Sequence, residues 1–330
     1  MHKLLYGVIA VMILWTAIPP SSAQERGEVF AFLRYPTSAR VNALGGEAVS
    51  LTDSDASTTL HNPGLLGGEM SGMLHLSYLS YLADIHLGSI LYTRAQGDRG
   101  AWAIAVSYLN YGSITESLPD GSLTGAQVSA QDLAFEAAYG YDLSYRWRGG
   151  LALKFIYSSF AGYTATGLAA DVGLSYYNDG NNLSFGLAAK NLGAQLSAYE
   201  GNIRKSLPFD LQMGFSYRLA HAPIRLTLTA VSLHRWRFEQ PSSSATQDNG
   251  SRTFFKHLVM GVDLIPTENF YLAVGFNPRR RFDLEVQNAN LFGGFSAGTG
   301  IRIRRFGLSL SVANYHPSAM SLMFSLSTKL

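Results

Sequence analysis

Three stretches of this 330-residue chain carry residue types that could do chemistry. The first, Ser38 to Leu66, has adjacent glycines (Gly45, Gly46), two near-adjacent carboxylates (Asp53, Asp55) and an Asn62-Pro63-Gly64 turn signal. The second is an arginine run, Arg279-Arg280-Arg281, and the third is the glycine-rich FGGFSAGTG, residues 292–300. Carboxylates at such spacing can ligate calcium, but an EF-hand loop also needs a glycine and a distal glutamate at fixed places. Both are missing, so Asp53 and Asp55 read as turn or cap residues, or as partners for inward-facing Arg and Lys. The glycine-rich stretch lacks the lysine of a phosphate loop. It reads as a strand that allows bending or close approach of another segment. Guanidinium forks match phosphate. The arginine run is therefore either a solvated surface run or a contact with lipopolysaccharide or an acidic partner.

Other chemistry has no visible seat. There is no His-Glu-x-x-His, no Gly-x-Ser-x-Gly and no P-loop lysine motif. The eight histidines are scattered. His75, His86, His234 and His257 sit in or beside strand-like segments and read as wall or rim residues rather than ligands. Cysteine is absent, which removes thiol chemistry and disulfides. No catalytic residue, cofactor or metal is expected, and the chain reads as non-enzymatic. Its net charge of +2 and lack of a basic face make it a poor nucleic-acid binder.

The elements that must position these residues follow from periodicity. Met1 to Lys3 is positive, Leu4 to Ile18 is almost wholly apolar, and Ser21 and Ala23 suit a signal peptidase. Residues 1–23 thus read as a secretory signal peptide. Beyond it no apolar run reaches about 18 residues, so no membrane helix is expected. Only 15% of residues are charged, against about 25% in soluble proteins. The chain also has 33 Gly, 18 Tyr, 18 Phe and 4 Trp. From about residue 71 onward apolar residues alternate with small or polar ones, as in Phe306, Leu308, Leu310 and Val312 against Gly307, Ser309, Ser311 and Ala313. Such alternation gives a strand with one apolar face. Fourteen segments recur, of about 9–13 residues each, which suits a tilted membrane-spanning strand.

Connections alternate too. Tight turns are expected at 96–100, 143–146, 178–181, 220–223, 266–269 and 304–307. Longer loops are expected at 112–127, 160–166, 192–207, 236–252, 278–290 and 314–318, with a short one near Leu82. That asymmetry is typical of outer-membrane barrels, with short turns periplasmic and long loops extracellular. Glu136, Lys154, Asp171, Lys190, Asp210, Arg218, Asp263 and Arg302 share phase with the polar face. A lipid-facing charge at the midplane costs roughly 2–4 kcal/mol, so this face should line the lumen. The reading is an all-β, 14-stranded antiparallel transmembrane barrel over 71–330. Such a barrel is too wide for its own side chains to fill. Residues 24–70 are expected to fold inward as a plug. Gly45 and Gly46 would serve close approach or positive φ there, and Pro63 would hold Asn62 extended. Tyr108, Tyr111, Tyr139, Tyr141, Tyr176 and Tyr177 are candidates for aromatic girdles.

Finally, the stretch FLRYPTSARVNALGGEAVSLTDSDASTTLHNPGLL resembles the N-terminal signature of the PorQ family of the type IX secretion system. The matching elements are Phe32-Leu33, Pro36, Ser38-Ala39-Arg40, Ala43 to Gly46, Asp53 to Asp55 and Asn62-Pro63. That family is similar to PorV proteins and to the wider FadL-like barrels, and GLAAKNLG (186–193) resembles a second phrase common to them. Gly64 departs from the Asn-Pro-Ala usual in that pattern. The resemblance implies a non-enzymatic outer-membrane barrel of the attachment complex. It would anchor a PorZ-type surface protein beside a PorU-type sortase and a PorV-type barrel, so that cargo is attached to lipopolysaccharide in a Bacteroidetes-type cell. Both mature termini would be periplasmic or in the lumen. The alternative is a FadL-like transporter of hydrophobic compounds.

Overall fold

The computed structural model describes residues 27–330, except 83, 118–122, 202, 237, 239–249, 284–292 and 317–318. The expected signal peptide lies outside the described residues, as do the first residues of the expected plug and parts of the expected 112–127, 192–207, 236–252, 278–290 and 314–318 connections.

Alternating sequence becomes alternating exposure. The strands are β1 (Met73–Ser80), β2 (His86–Gln96), β3 (Gly100–Ser117), β4 (Leu123–Asp142) and β5 (Trp147–Phe160). They continue as β6 (Tyr163–Asn178), β7 (Leu183–Ser197), β8 (Asp210–Arg218), β9 (Ile224–Ala230) and β10 (Leu258–Thr267). The last four are β11 (Phe270–Phe276), β12 (Phe295–Ile303), β13 (Phe306–His316) and β14 (Ala319–Lys329). Each pairs antiparallel with its neighbours, and β14 closes on β1 from Met73↔Lys329 to Ser80↔Leu322. The result is a closed 14-stranded barrel with no free edge.

Leu76, Ile104, Phe135, Leu153, Met213, Val274 and Phe324 point outward and are 37–60% exposed. An outward apolar wall on a closed barrel is the form a sheet takes when lipid is the solvent. Tyr139, Tyr141 and Trp147 add aromatic rings near the tight turns. Tyr111, expected in a girdle, instead turns inward and bonds Asp132 Oδ2 at 2.7 Å.

Expected tight turns all fall between strands. Expected long loops do so only in part. Residues 112–116, 124–127, 163–166 and 192–197 are strand, and only Ala161 and Gly162 separate β5 from β6. Both faces of these extensions carry polar residues, so no apolar period marks them. Their Ile, Thr and Val still favour extended backbone, and β3 and β4 pair on beyond Ser113↔Ser129.

The lumen is occupied. Residues 27–72 form a short helix (Ala39–Ala43) and several 3₁₀ turns that fill the barrel. Three apolar clusters join plug to wall. Phe30 and Phe32 pack with Leu79, Leu87, Leu109 and Ile156. Leu60, Leu66 and Met70 pack with Leu91, Ala103, Ala138 and Ala152. Val41, Leu44 and Leu51 pack with Ala273. Small residues on the inner wall are what let plug side chains reach it.

Candidate functional site: the plugged lumen

The carboxylates of the first stretch are structural ions. Asp53 Oδ2 lies 2.6 Å from Arg40 Nη1, and its Oδ1 lies 2.7 Å from Arg225 Nη1 of β9. Arg225 Nη2 reaches Asp263 Oδ2 of β10 at 2.8 Å, and Arg40 Nε lies 3.6 Å from Asp263 Oδ1. Two plug charges and two wall charges therefore form one balanced ring. The Arg40 guanidinium also lies 4.7 Å from the Tyr271 ring centre. Burial alone would raise the Asp53 carboxyl, but Arg225 and Arg40 hold it well below the usual carboxylate range. Asp55 takes the other expected role: its Oδ1 accepts from Ser57 N at 3.0 Å and caps the 3₁₀ turn Ala56–Leu60.

The glycine pair meets the wall. Gly45 and Gly46 have φ of 99° and 92°. Gly45 N donates to Ser296 Oγ at 3.0 Å, and Asn277 Nδ2 donates to Gly45 O at 3.2 Å. Asn62 is extended, with φ −152°, as its proline neighbour requires. Its Nδ2 donates to Val49 O at 2.7 Å, and its Oδ1 accepts from Gly64 N at 2.9 Å. Gly64 rests on the wall backbone: a Cβ there would come within 2.7 Å of Gly173 C. The missing methyl at this position is therefore a contact requirement.

A second polar cluster uses the in-phase strand charges. Lys154 Nζ reaches Asp171 Oδ2 at 2.6 Å and Asn191 Oδ1 at 3.1 Å, with Glu136 at 3.8 Å. Lys190 Nζ lies 3.8 Å from Glu47 of the plug. In GLAAKNLG the ladder slips between Ala170 and Val172, so Lys190 and Asn191 together face Asp171. Asn191 has φ 57°, a left-handed position that Asn tolerates, and its N donates to Asp171 Oδ1 at 2.7 Å. That phrase is a bulge locked by a buried ion pair. Sequence reading found Asp171, Lys190 and Asp263 by phase but missed Arg225, which has the same phase.

His61 of the plug is fully buried, with Nε2 3.5 Å from Thr37 Oγ1. Burial, with Lys190 and Lys154 nearby, holds its imidazole neutral well below the usual range.

The arginine run is not a solvated loop. It lies in a short helix, Pro278–Asp283. Arg279 Nε is 3.5 Å from Asp283, and its guanidinium lies over Phe238. Arg280 lies 4.0 Å from the Tyr315 ring centre and over Gly46. Arg279 and Arg280 are thus engaged within the chain.

A polar mouth of about 390 Å³ at the tight-turn end touches Arg40, Asp53, Arg218 and Arg302. An aromatic mouth of about 380 Å³ lies at the opposite end. Between them a cavity of about 40 Å³ touches His61, Glu136, Lys154 and Lys190. Outside the wall, Ile104, Phe135, Leu153, Phe155, Leu168 and Leu192 border an apolar hollow of about 830 Å³. Among the described residues no group of three or more His, Asp or Glu is placed to hold a metal.

The fold is that of the FadL-like outer-membrane barrels. A deltaS2 mutant of the TodX monoaromatic hydrocarbon channel superposes with a TM-score of 0.60 at 12% identity, covering 90% of this chain and 99% of that one. The Pseudomonas putida toluene transporter TodX gives 0.56 at 12% identity, over 90% and 98%. A Pseudomonas aeruginosa FadL homologue gives 0.51 at 10%, over 88% and 97%. At these identities the likeness is one of fold. No protein-family model and no curated protein matches the sequence.

Proposed function

We propose that this chain is a non-enzymatic outer-membrane scaffold whose sealed barrel holds a surface partner at its long-connection rim. Tight turns would face the periplasm. The supporting observation is the plug: it is tied to the wall by the Arg40–Asp53–Arg225–Asp263 ring and three apolar clusters, and the cavity beside His61, Lys154 and Lys190 is only about 40 Å³. Passage through the lumen would require separating Asp53 from Arg225 and pulling the plug away from its apolar contacts on the wall. The PorQ-like signature adds a partner class, a PorZ-type surface protein in a type IX attachment complex with PorU-type and PorV-type members. Tagged protein drawn from solubilised outer membranes should carry a stoichiometric surface protein. Its absence would sink this reading.

The second reading is a channel for hydrophobic compounds, and the structural neighbours favour it over attachment: they are a monoaromatic hydrocarbon channel and a toluene transporter. The apolar hollow in the wall beside the β6–β7 bulge adds to it. A locked plug separates the two. Ser50 Oγ and Ser216 Oγ lie 2.7 Å apart, so S50C/S216C should form a disulfide between plug and wall. The scaffold reading expects partner capture to survive oxidation. The channel reading expects uptake of labelled toluene to fall on oxidation and recover on reduction.

A further inference from the structure

The aromatic mouth has a chemistry of its own. Asp132 of β4, Ser158 and Phe160 of β5 and Tyr163 of β6 line it, together with Tyr111 of β3 and Tyr199 and Glu200 of the β7–β8 connection. Phe160 and Tyr163 are paired across β5 and β6 and share phase with the buried inward residues Ser158 and Ala165. Inward rings are normally covered by the plug, yet these two are 49% and 50% exposed. They rise above the plug and face an open cup.

At the floor, Asp132 is only 4% exposed. It accepts from Tyr111 Oη at 2.7 Å and from the Ser158 hydroxyl, which also lies 2.5 Å from Tyr199 Oη. These bonds fix the carboxylate and two of the rings. No lysine or arginine is among the lining residues. No ion pair among the described residues involves Asp132 or Glu200. Four aromatic rings and two carboxylates without a cation make a site of one sign. Ring faces are electronegative and draw ammonium or guanidinium groups, and a neighbouring carboxylate strengthens the draw. A phosphate or acidic lipid would be repelled.

We propose that this cup takes a cationic side chain, lysine or arginine, presented by the surface partner. The inference rests on the scaffold reading for its partner, while the binding chemistry stands on the cup itself. The test uses the full chain purified in detergent, with N-acetyl-arginine amide as probe and N-acetyl-citrulline amide as its neutral match, followed by saturation-transfer NMR and calorimetry. The arginine probe should bind, and the citrulline match should bind about tenfold more weakly or less. Glu200→Gln and Tyr163→Ala, both on exposed side chains, should each weaken the arginine probe while the barrel stays folded by heat-shifted gel mobility. Equal binding of the two probes, or binding of neither, overturns the proposal. If a partner is captured equally by the wild type and both variants and no arginine binds, the cup fails and the scaffold stands. If arginine binds selectively and no partner is captured, the scaffold fails and the cup stands as a cation site.

Discussion

Arg225 carries more than one bond. Its guanidinium is shared by Asp53 of the plug and Asp263 of the wall, and the Asp263 side chain is fully buried. Arg225→Leu leaves Asp263 with only Arg40, at 3.6 Å, beyond hydrogen-bond reach. Loss of one partner from a buried pair costs roughly 3–5 kcal/mol. The variant should therefore unfold at a clearly lower temperature, read by heat-shifted gel mobility. An unchanged midpoint would show that the ring contributes little.

Acid should act on two groups in the plug. The His61 imidazole is held low by burial and by Lys190 and Lys154. A depressed group contributes stability above its unfolded pKa and loses it as pH falls toward the folded one. For His61 the loss begins below about 6.5, and for Asp53, also depressed, below about 3.9. The melting midpoint should be flat above about pH 6.5 and decline below it, and His61→Gln should remove the first part of the decline. A midpoint that rises on mild acidification would contradict this assignment.

Among the elements, the bulge in β7 is the most demanding of sequence. Asn191 sits at φ 57°, with its side chain between Lys154 and the Pro208 carbonyl. A β-branched residue there meets the left-handed penalty of roughly 1–2 kcal/mol and loses both bonds. Asn191→Val should lower the melting midpoint more than Asn191→Asp, since aspartate still tolerates the left-handed region. Gly64 offers a parallel test: Gly64→Ala drives a methyl against Gly173, and overpacking of this kind costs roughly 1–3 kcal/mol. Wild-type stability in that variant would mean the plug shifts easily.

What sequence revealed at this scale follows from periodicity. Membrane-facing residues such as Leu308 and Leu310 must alternate with inward ones, so every strand left a trace. Residues 112–116 of β3 and 124–127 of β4 are partly or fully exposed on both faces, so they left none and read as a loop. Gly45, Gly46, Asp55 and Asn62 announced their turns because each turn needs that residue type. Stacking of Arg279 and Arg280 on Phe238 and Tyr315 joins residues far apart in sequence, so no local pattern announced it. Arg225, one of many residues in the polar phase, had no local mark of its role.

For the whole molecule, barrel and plug are one folding problem. A 14-stranded wall leaves a lumen its own side chains cannot fill. The inner wall is therefore small, with Ala103, Ala138, Ala152 and Ala188 buried there. The plug supplies the missing volume, through Leu44, Leu51, Leu65, Leu66 and Met70. A barrel of this width needs residues 27–72 to fill its lumen in the living membrane as well. The direct measurement is disulfide formation in S50C/S216C, in intact outer membranes, on a chain that otherwise has no cysteine. The account predicts near-complete cross-linking and protection of both thiols from a water-soluble maleimide before oxidation. Free labelling of both thiols with no cross-link would contradict it.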